Sequence, residues 1–584
     1  MTKHFSILAI PLLVIPLLLT SCSGGNLAQA ESISRKQINN YHATQTEEFL
    51  TTLTPKPTMK AAATSEVKKP AVNIAENQNI TISGYEFYDL DPINSYMDDM
   101  MVTYPAFVGL TRIDIETRKV DAGMASSWKT SNNGLTWTFT LMDGIPWVRF
   151  NPDTGKVEQV TDADGIVRYV VADDFVYGIS RVLDPDLESG NAFMLEMIAE
   201  NPDGSGFKVR AKDDHTLEVI LTEKTSYFDA IAELPIMGAQ PGWLIEEEGD
   251  AWIESGNFQG YGPYILKEWS HDQLLTLIKN PYWEGTDSVP APSIEEISFI
   301  LTPVSSAQSE FSINKTDVVV VSDDLDSIRE NSSTSKYLQT KTDECSMYIG
   351  FNTNSSPVDN PTVRRALSLA LDKQTIVESV YNHEPAQWLV MPDTRGASDF
   401  GERETFNPEE ALALLTEVYP EPANMPELIF TAKESNSDSL IKILQSITEM
   451  WTTNLGVSAR VEILSNDKYS SSFNSDNPPA IFFRGYCLDY DDAANMYRYL
   501  FEEDSPFGWN NTTLTSLQSE VKNEENLSKR EKLYREIEDN ILVENAYIIP
   551  LYWQATYLLV NPKLYRTYPL LLGLEQFEKW YVSK

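Results

Sequence analysis

The residues of this chain best suited to chemistry crowd into positions 483–497, FRGYCLDYDDAANMY. A strand-like run, Ala480-Ile481-Phe482-Phe483, leads into Gly485 and Tyr486. Cys487 follows, one of three cysteines, and then Asp489, Tyr490, Asp491 and Asp492. Aromatic rings can stack on a ligand and carboxylates can pair with a cation, so this composition at the end of a buried strand suits the wall of a cleft. It suits a solvated acidic turn equally well. Calcium is a third reading of Asp489, Asp491 and Asp492, but that ion takes six to eight oxygens, and the EF-hand pattern with its glycine and distal glutamate is absent. No metal and no other cofactor is expected.

Other chemistries lose ground quickly. The five histidines, His4, His42, His215, His271 and His383, are scattered, and neither HExxH nor GxSxG occurs. Gly260-Tyr261-Gly262 lacks a third glycine and any phosphate-loop context. A secreted glycosidase would need only two carboxylates flanking a bond, and the 12 tryptophans and many acids fit that superficially, but no motif singles out a pair. With 45 basic against 86 acidic residues, the net charge of −41 repels phosphate backbones and anionic lipid, so nucleic acid is not expected as a partner.

A chain of 584 residues exceeds what one core organises, so two or three domains are expected. Residues 1–21 read as an export signal, with an apolar run over 5–19 that is shorter than the ~20 residues of a spanning helix. It ends in Leu19-Thr20-Ser21-Cys22, which resembles a bacterial lipobox whose cysteine is acylated and becomes the mature N-terminus. Acyl chains contribute ~0.8 kcal/mol per buried methylene and would hold the protein on a membrane without a transmembrane helix. Residues 22–75, rich in Ser, Thr, Ala, Lys and Pro, cannot bury enough surface to fold and read as a flexible tether reaching roughly 40 Å.

Folded structure begins near Asn79. Ile80-Thr81-Ile82-Ser83 alternates as a strand, and so does 134–141, GLTWTFTL, before the Asp143-Gly144 turn. A helix is expected from Ala172, with Asp173 as its N-cap. Asn360 caps another, with Pro361 at the first helical position and Val363, Ala366, Leu367, Ala370 and Leu371 as its buried stripe. Leu440, Ile443, Leu444, Ile447, Trp451 and Leu455 form a second stripe that Gly456 stops, and 457–464 reads as a strand. A helix over about 529–544 returns to a strand over 547–560. Helices alternating with strands indicate an α/β lobe.

In their order, several of these segments carry a resemblance. ASSWKTSNNGLTWTFTLMDGI with VADDFVYGISRVLDP, GYGPYIL through Trp269 to Asn280-Pro281-Tyr282-Trp283, YIGFNT with DNPTVRRAL, and the 483–497 stretch together resemble the solute-binding proteins of peptide-type ABC importers, family 5. Two departures stand out: Tyr261 replaces a small residue between the glycines, and about 145–170 is an extra stretch whose Asn-Pro-Asp-Thr-Gly and Asp-Ala-Asp-Gly turns suggest an added hairpin.

The resemblance implies a two-lobed periplasmic-binding-protein-like α/β fold of the large peptide-binding type (cluster C), and a receptor, not an enzyme. The N-terminal lobe would span 76–344, with an inserted subdomain at about 116–249. The C-terminal lobe would span 345–556, and 557–584 would return to the first. Gly485-Tyr486-Cys487-Leu488-Asp489-Tyr490 is similar to the GWCxDY-like motif of oligopeptide binders, which implies Asp489 as the partner of a peptide's α-amino group. Tyr486, Cys487, Leu488 and Tyr490 would then lie along the ligand, and Tyr348, Tyr261, Trp509 and Asn510 would border the cleft. A competing reading has Asp489 capping a turn or pairing with Arg484, and glycosides, opines or metal chelates are competing solutes. The resemblance also implies a Cys345–Cys487 disulfide, with two separate thiols as the alternative. A monomer is expected, on the outer face of the cytoplasmic membrane, with the permease's membrane subunits as partner and the lipid anchor as its sole membrane contact.

Overall fold

The computed structural model describes residues 73–584 apart from 85, 302–308, 310, 322–324, 332, 379–382, 398–399, 404, 436–437, 476–477, 502–506 and 569–572. The signal segment, Cys22 and nearly all of the tether therefore lie outside the described residues.

A mixed sheet forms the frame. Its strands are β1 (Asn79–Gly84), β2 (Tyr264–Ser270), β3 (Leu274–Lys279), β4 (Glu296–Leu301), β5 (Val318–Val320), β6 (Leu338–Phe351), β7 (Leu428–Lys433), β8 (Ala459–Leu464), β9 (Ile481–Cys487) and β10 (Ile548–Val560), with a two-residue strand, Glu384–Pro385, on β10. The spatial order is β2-β3-β4-β1-β5-β10-β6-β9-β7-β8. The strands that precede β6 in sequence therefore occupy one side, β7, β8 and β9 the other, and the two long strands β6 and β10 join them. β6 pairs with β10 from Leu338↔Leu559 to Thr342↔Ala555, slips, and resumes at Ser346↔Trp553. A bulge of this kind bends and twists a strand. It lies in the strand pair that joins the two sides of the sheet, and the fold is two-lobed.

The inner face of each lobe follows from its sequence period. In the four-stranded antiparallel sheet built from Ala125–Thr130, Thr136–Leu141, Thr216–Ile220 and Val209–Asp213, Trp137, Phe139 and Leu141 point inward while the intervening threonines point out. The next helix, Ala172–Leu183, corrects one expectation: its N-cap is the extended Val171, not Asp173. Asp174, in the first turn, folds back instead, and its Oδ2 accepts the Val171 N–H at 3.1 Å and Trp147 Nε1–H at 3.0 Å. A carboxylate there satisfies otherwise orphaned donors as well as an N-cap side chain would. The extra stretch is a hairpin: Val148–Asn151 pairs antiparallel with Lys156–Gln159, turning at Gly155 with φ +65°.

In the second half, Asn360 Oδ1 accepts the Thr362 N–H at 2.8 Å and starts α1 (Pro361–Leu369). Val363, Ala366, Leu367, Ala370 and Leu371 are all fully buried. α2 (Asp438–Leu455) buries Leu440, Ile443, Leu444, Ile447, Trp451 and Leu455 in the same core, and Gly456 ends it at φ +71°. The chain then forms α3 (Ala494–Leu500), α4 (Thr512–Asn523) and α5 (Leu527–Asp539) beside the end of β9. Among the described residues no helix is long and apolar enough to cross a membrane.

Candidate functional site

β9 ends at Cys487, directly opposite Cys345 of β6, and the two are joined by a disulfide. The seven-residue ladder from Cys345↔Cys487 to Phe351↔Ile481 fixes the direction in which the chain leaves the sheet. Leu488 and Asp489 come next, both buried. The Asp489 carboxylate is oriented from two directions: Tyr486 Oη–H donates to Oδ2 at 2.7 Å and Asn495 Nδ2–H donates to it at 3.1 Å. Asn495 Oδ1 also accepts the Asp489 N–H at 2.9 Å, so α3 holds backbone and side chain together. Both named side-chain donors are neutral. The carboxylate is thus placed without these bonds neutralising its charge.

Cys487, Leu488 and Asp489 form one wall of a cavity. The facing wall comes from the first lobe: Ser95, Tyr96, Met97 and Met100, with Met194 and Leu234-Pro235-Ile236. Met97 takes the left-handed conformation, φ +44°, which a non-glycine side chain adopts only where its surroundings hold it. Three methionines make a wall that can re-pack around different shapes. About 20 Å³ is free in this cavity, space for roughly one water. A larger solute reaches Asp489 only when the walls part.

A second cavity, of about 360 Å³, is lined by Tyr227, Arg498, Asn510, Gln518, Lys522 and Tyr534 among others. Tyr490 stacks on Tyr227 with centroids 5.8 Å apart. The candidate residues are thus divided. Cys487, Leu488 and Asp489 share the small cavity, Tyr486 braces Asp489 from behind, Tyr490 joins the two lobes, and Asn510 lines the larger cavity, where its Oδ1 accepts Thr515 Oγ1–H at 2.9 Å. Three others are core residues by their contacts. The Tyr261 hydroxyl donates to Val108 O at 2.9 Å and accepts the Ala239 N–H at 3.1 Å, between Phe107 and Trp147. Tyr348 is buried in the β6 ladder opposite Arg484. Trp509 donates its indole N–H to the Phe351 carbonyl and stacks on Phe482. Arg484 itself lies over the Phe473 ring. Among the described residues no cluster of His, Cys, Asp and Glu could hold a metal ion.

Burial shifts the acids around the site. Asp491 is pushed up to about 6, moderated by Arg118 at 3.7 Å. Glu538 on α5 is raised to about 7, because burial outweighs the Leu389 and Val390 N–H groups and the Tyr497 hydroxyl that it accepts. The folded protein therefore binds this proton more tightly than the unfolded chain. Its stability contribution is present below the ordinary carboxyl range and is lost as pH rises towards 7, by up to ~3 kcal/mol. Denaturant midpoints measured from pH 4.5 to 7.5 are expected to fall less steeply in Glu538→Gln than in the wild type.

The sequence profile described as bacterial extracellular solute-binding proteins, family 5, middle, matches residues 119–507. The chain belongs to this family. It is an ABC-type solute-binding protein and not an enzyme. Similar proteins include the periplasmic oligopeptide-binding protein OppA of Salmonella typhimurium, 27% identical over 86% of this chain and 92% of the relative. The oligopeptide-binding protein OppA of Bacillus subtilis is 26% identical over 76% and 82%. The fold is also that of a solved periplasmic murein tripeptide-binding protein, MppA, in an unliganded open form, with TM-score 0.74 at 24% identity over 88% of this chain and 99% of the other. Haemophilus influenzae OppA in complex with RPPGFSPFR gives TM-score 0.63 at 21% identity over 88% and 100%.

Sequence reasoning about this family 5 protein missed the facing wall. Ser95 to Met100 and Leu234 to Ile236 carry no motif, and they meet Asp489 only through the packing of the lobes. Asn495 was within reach: an amide in the first turn of α3 is placed to turn back on the preceding loop.

Proposed function

We propose that this protein captures oligopeptides between its lobes and delivers them to an ABC permease, with Asp489 pairing with the ligand's α-amino group. The observation that carries the reading is the buried Asp489 carboxylate, oriented by neutral donors and facing a cavity that is shut to solutes. A charged ligand end enclosed there needs an opposite charge, since an unpaired buried ion costs roughly 3–5 kcal/mol. The oligopeptide-binding relatives, matched over most of their length, support the same ligand class. Leu488 and the end of β9 would offer backbone groups to an extended peptide, and main-chain pairing reads no side chains, which favours broad specificity. The methionine wall favours it too.

In this proposal the lobes divide at 344/345 and 556/557, the bulge in β6 lies at the hinge, and closure is the signal. A permease distinguishes loaded from empty protein through differential affinity for the closed form. Acylation of Cys22 and the tether to residue 75 would keep a monomer on the outer face of the cytoplasmic membrane.

Native mass spectrometry of the full-length protein extracted from membranes tests both parts. Expected are a mass increment of two or three acyl chains on Cys22 and a family of co-purifying peptides of mixed sequence. One defined non-peptide mass in place of the peptides would overturn the ligand assignment, and an unmodified Cys22 the anchor.

A further inference from the structure

The loop that follows Asp489 is tied to the backbone of Arg395, a residue from a distant part of the same lobe. The Arg395 backbone N–H donates to Asp491 Oδ1 at 2.8 Å, and its carbonyl accepts the Ala493 N–H at 3.0 Å. Arg395 and residues 491–493 therefore move as one piece. The Arg395 guanidinium, 8% exposed, then points out of that piece in two directions. Nη1–H donates to Asp492 Oδ2 at 3.2 Å, within the lobe. Nη1–H and Nη2–H donate to Asp229 Oδ1 and Oδ2, each at 3.2 Å. This second contact is a two-pronged fork of the kind that gives an arginine–carboxylate pair directional strength.

Asp229 belongs to the other side of the cleft. It lies in the short helix Phe228–Ile231, and its carbonyl accepts the Thr111 hydroxyl at 2.7 Å. Asp492, fully buried, also binds Arg530 Nη2 at 3.0 Å and accepts the Tyr534 hydroxyl. Asp229, Asp491 and Asp492 thus meet Arg118, Arg395 and Arg530 when the lobes come together. When Asp229 withdraws, the Arg395 guanidinium keeps its bond to Asp492, and water must replace the fork. One other cross-lobe pair reaches this loop, Arg118 to Asp491 at 3.7 Å, but it is a single long contact and not a fork. Lys522–Glu223 at 2.6 Å, with side chains 29% and 44% exposed, is wetter and makes no bond to residues 491–493.

We propose that Arg395 is a positioning residue that couples the Asp489 loop to Asp229, so that closing on a ligand and forming this buried fork are one event. The proposal rests on the reading of Asp489 as the ligand's anchor. It assigns to Arg395 no contact with the ligand: the effect is to slow reopening.

The test compares wild type, Asp229→Asn, Arg395→Lys and Asp489→Ala, using tri-alanine as the probe peptide. Three quantities are read: peptide release rate, radius of gyration by solution scattering with and without peptide, and thermal midpoint. Asp229→Asn keeps the shape and removes the charge. It is expected to release peptide ~10- to 100-fold faster and to scatter as a more open particle. Arg395→Lys keeps the charge, loses the fork and is expected to fall between. Unchanged release and unchanged scattering in Asp229→Asn, with only the thermal midpoint lowered, would overturn the coupling and leave a static strut. The anchor reading fails separately: Asp489→Ala would then bind tri-alanine as wild type does. If tri-alanine binds to none of the four proteins, scattering of the unliganded proteins alone decides: a shift in Asp229→Asn keeps the coupling and none removes it.

Discussion

Replacing Asp489 by alanine is expected to weaken peptide binding by at least ~100-fold, the largest single-residue effect on function in this protein. The reason is electrostatic. With the lobes closed around it, a peptide's ammonium group is cut off from bulk water, and the partner carboxylate is 6% exposed. Removing one member of a buried ion pair strands the other, at a cost of roughly 3–5 kcal/mol, and each ~1.4 kcal/mol is a factor of ten. Asp489→Asn separates charge from shape: the amide can still accept from Tyr486 and Asn495, so a loss as large as that of alanine identifies charge as the cause. Isothermal titration with a short peptide and with its N-acetylated form makes the comparison complete. The acetylated peptide, which lacks the ammonium, is expected to bind wild type poorly and to lose nothing further in Asp489→Ala. If the free and acetylated peptides bind equally, Asp489 is not an amino-group anchor.

The second large effect is expected on stability, from replacing both Cys345 and Cys487 by serine. Their disulfide closes a loop with a sequence separation of 142, and chain-entropy models assign ~5 kcal/mol to such a loop, while removal of native disulfides costs 2–5 kcal/mol in practice. The sulfurs are buried, so two serine hydroxyls would take their place without water. Guanidinium unfolding of the second lobe is expected to shift to clearly lower denaturant, and treatment of the wild type with a thiol reductant should reproduce the shift. A second consequence distinguishes this bond from a remote staple. It joins β6 to β9 at the register pair that directs Leu488 and Asp489 into the cavity, so peptide release should quicken even where the serine variant is fully folded. Unfolding midpoints that match those of the wild type would dismiss the stabilising role.

Much of this molecule was legible before folding was considered. The period of the apolar residues determined the buried stripes of α1 and α2 and the inward face of Thr136–Leu141, because a helix and a strand each repeat at a fixed interval whatever surrounds them. Asn360 before Pro361, and Gly456 after Leu455, marked helix ends through local backbone chemistry alone. The strand-then-acid pattern of 480–492 left a cleft wall and an acidic turn equally open, and the resemblance to the GWCxDY-like motif of oligopeptide binders is what singled out Asp489. The added hairpin declared itself by its turns.

Only the tertiary structure decided which residues face that acid. Met97, Met194 and Ile236 are far apart in sequence and reach one wall because separate elements of the first lobe pack together. Tyr261, which the family resemblance placed at the border of the cleft, spends its hydroxyl on Val108 and Ala239 in the core, since burial is a property of the assembled lobe. The N-cap of Ala172–Leu183 passed from Asp173 to the pairing of Val171 with Asp174 for a similarly three-dimensional reason: Trp147, from the hairpin, also bonds to Asp174. Arg395 carries no sequence signal at all. Its partners, Asp229 and Asp492, lie 166 and 97 residues away, and long-range ion pairs have no period to read. Local interactions write themselves into residue spacing, and contacts between lobes do not.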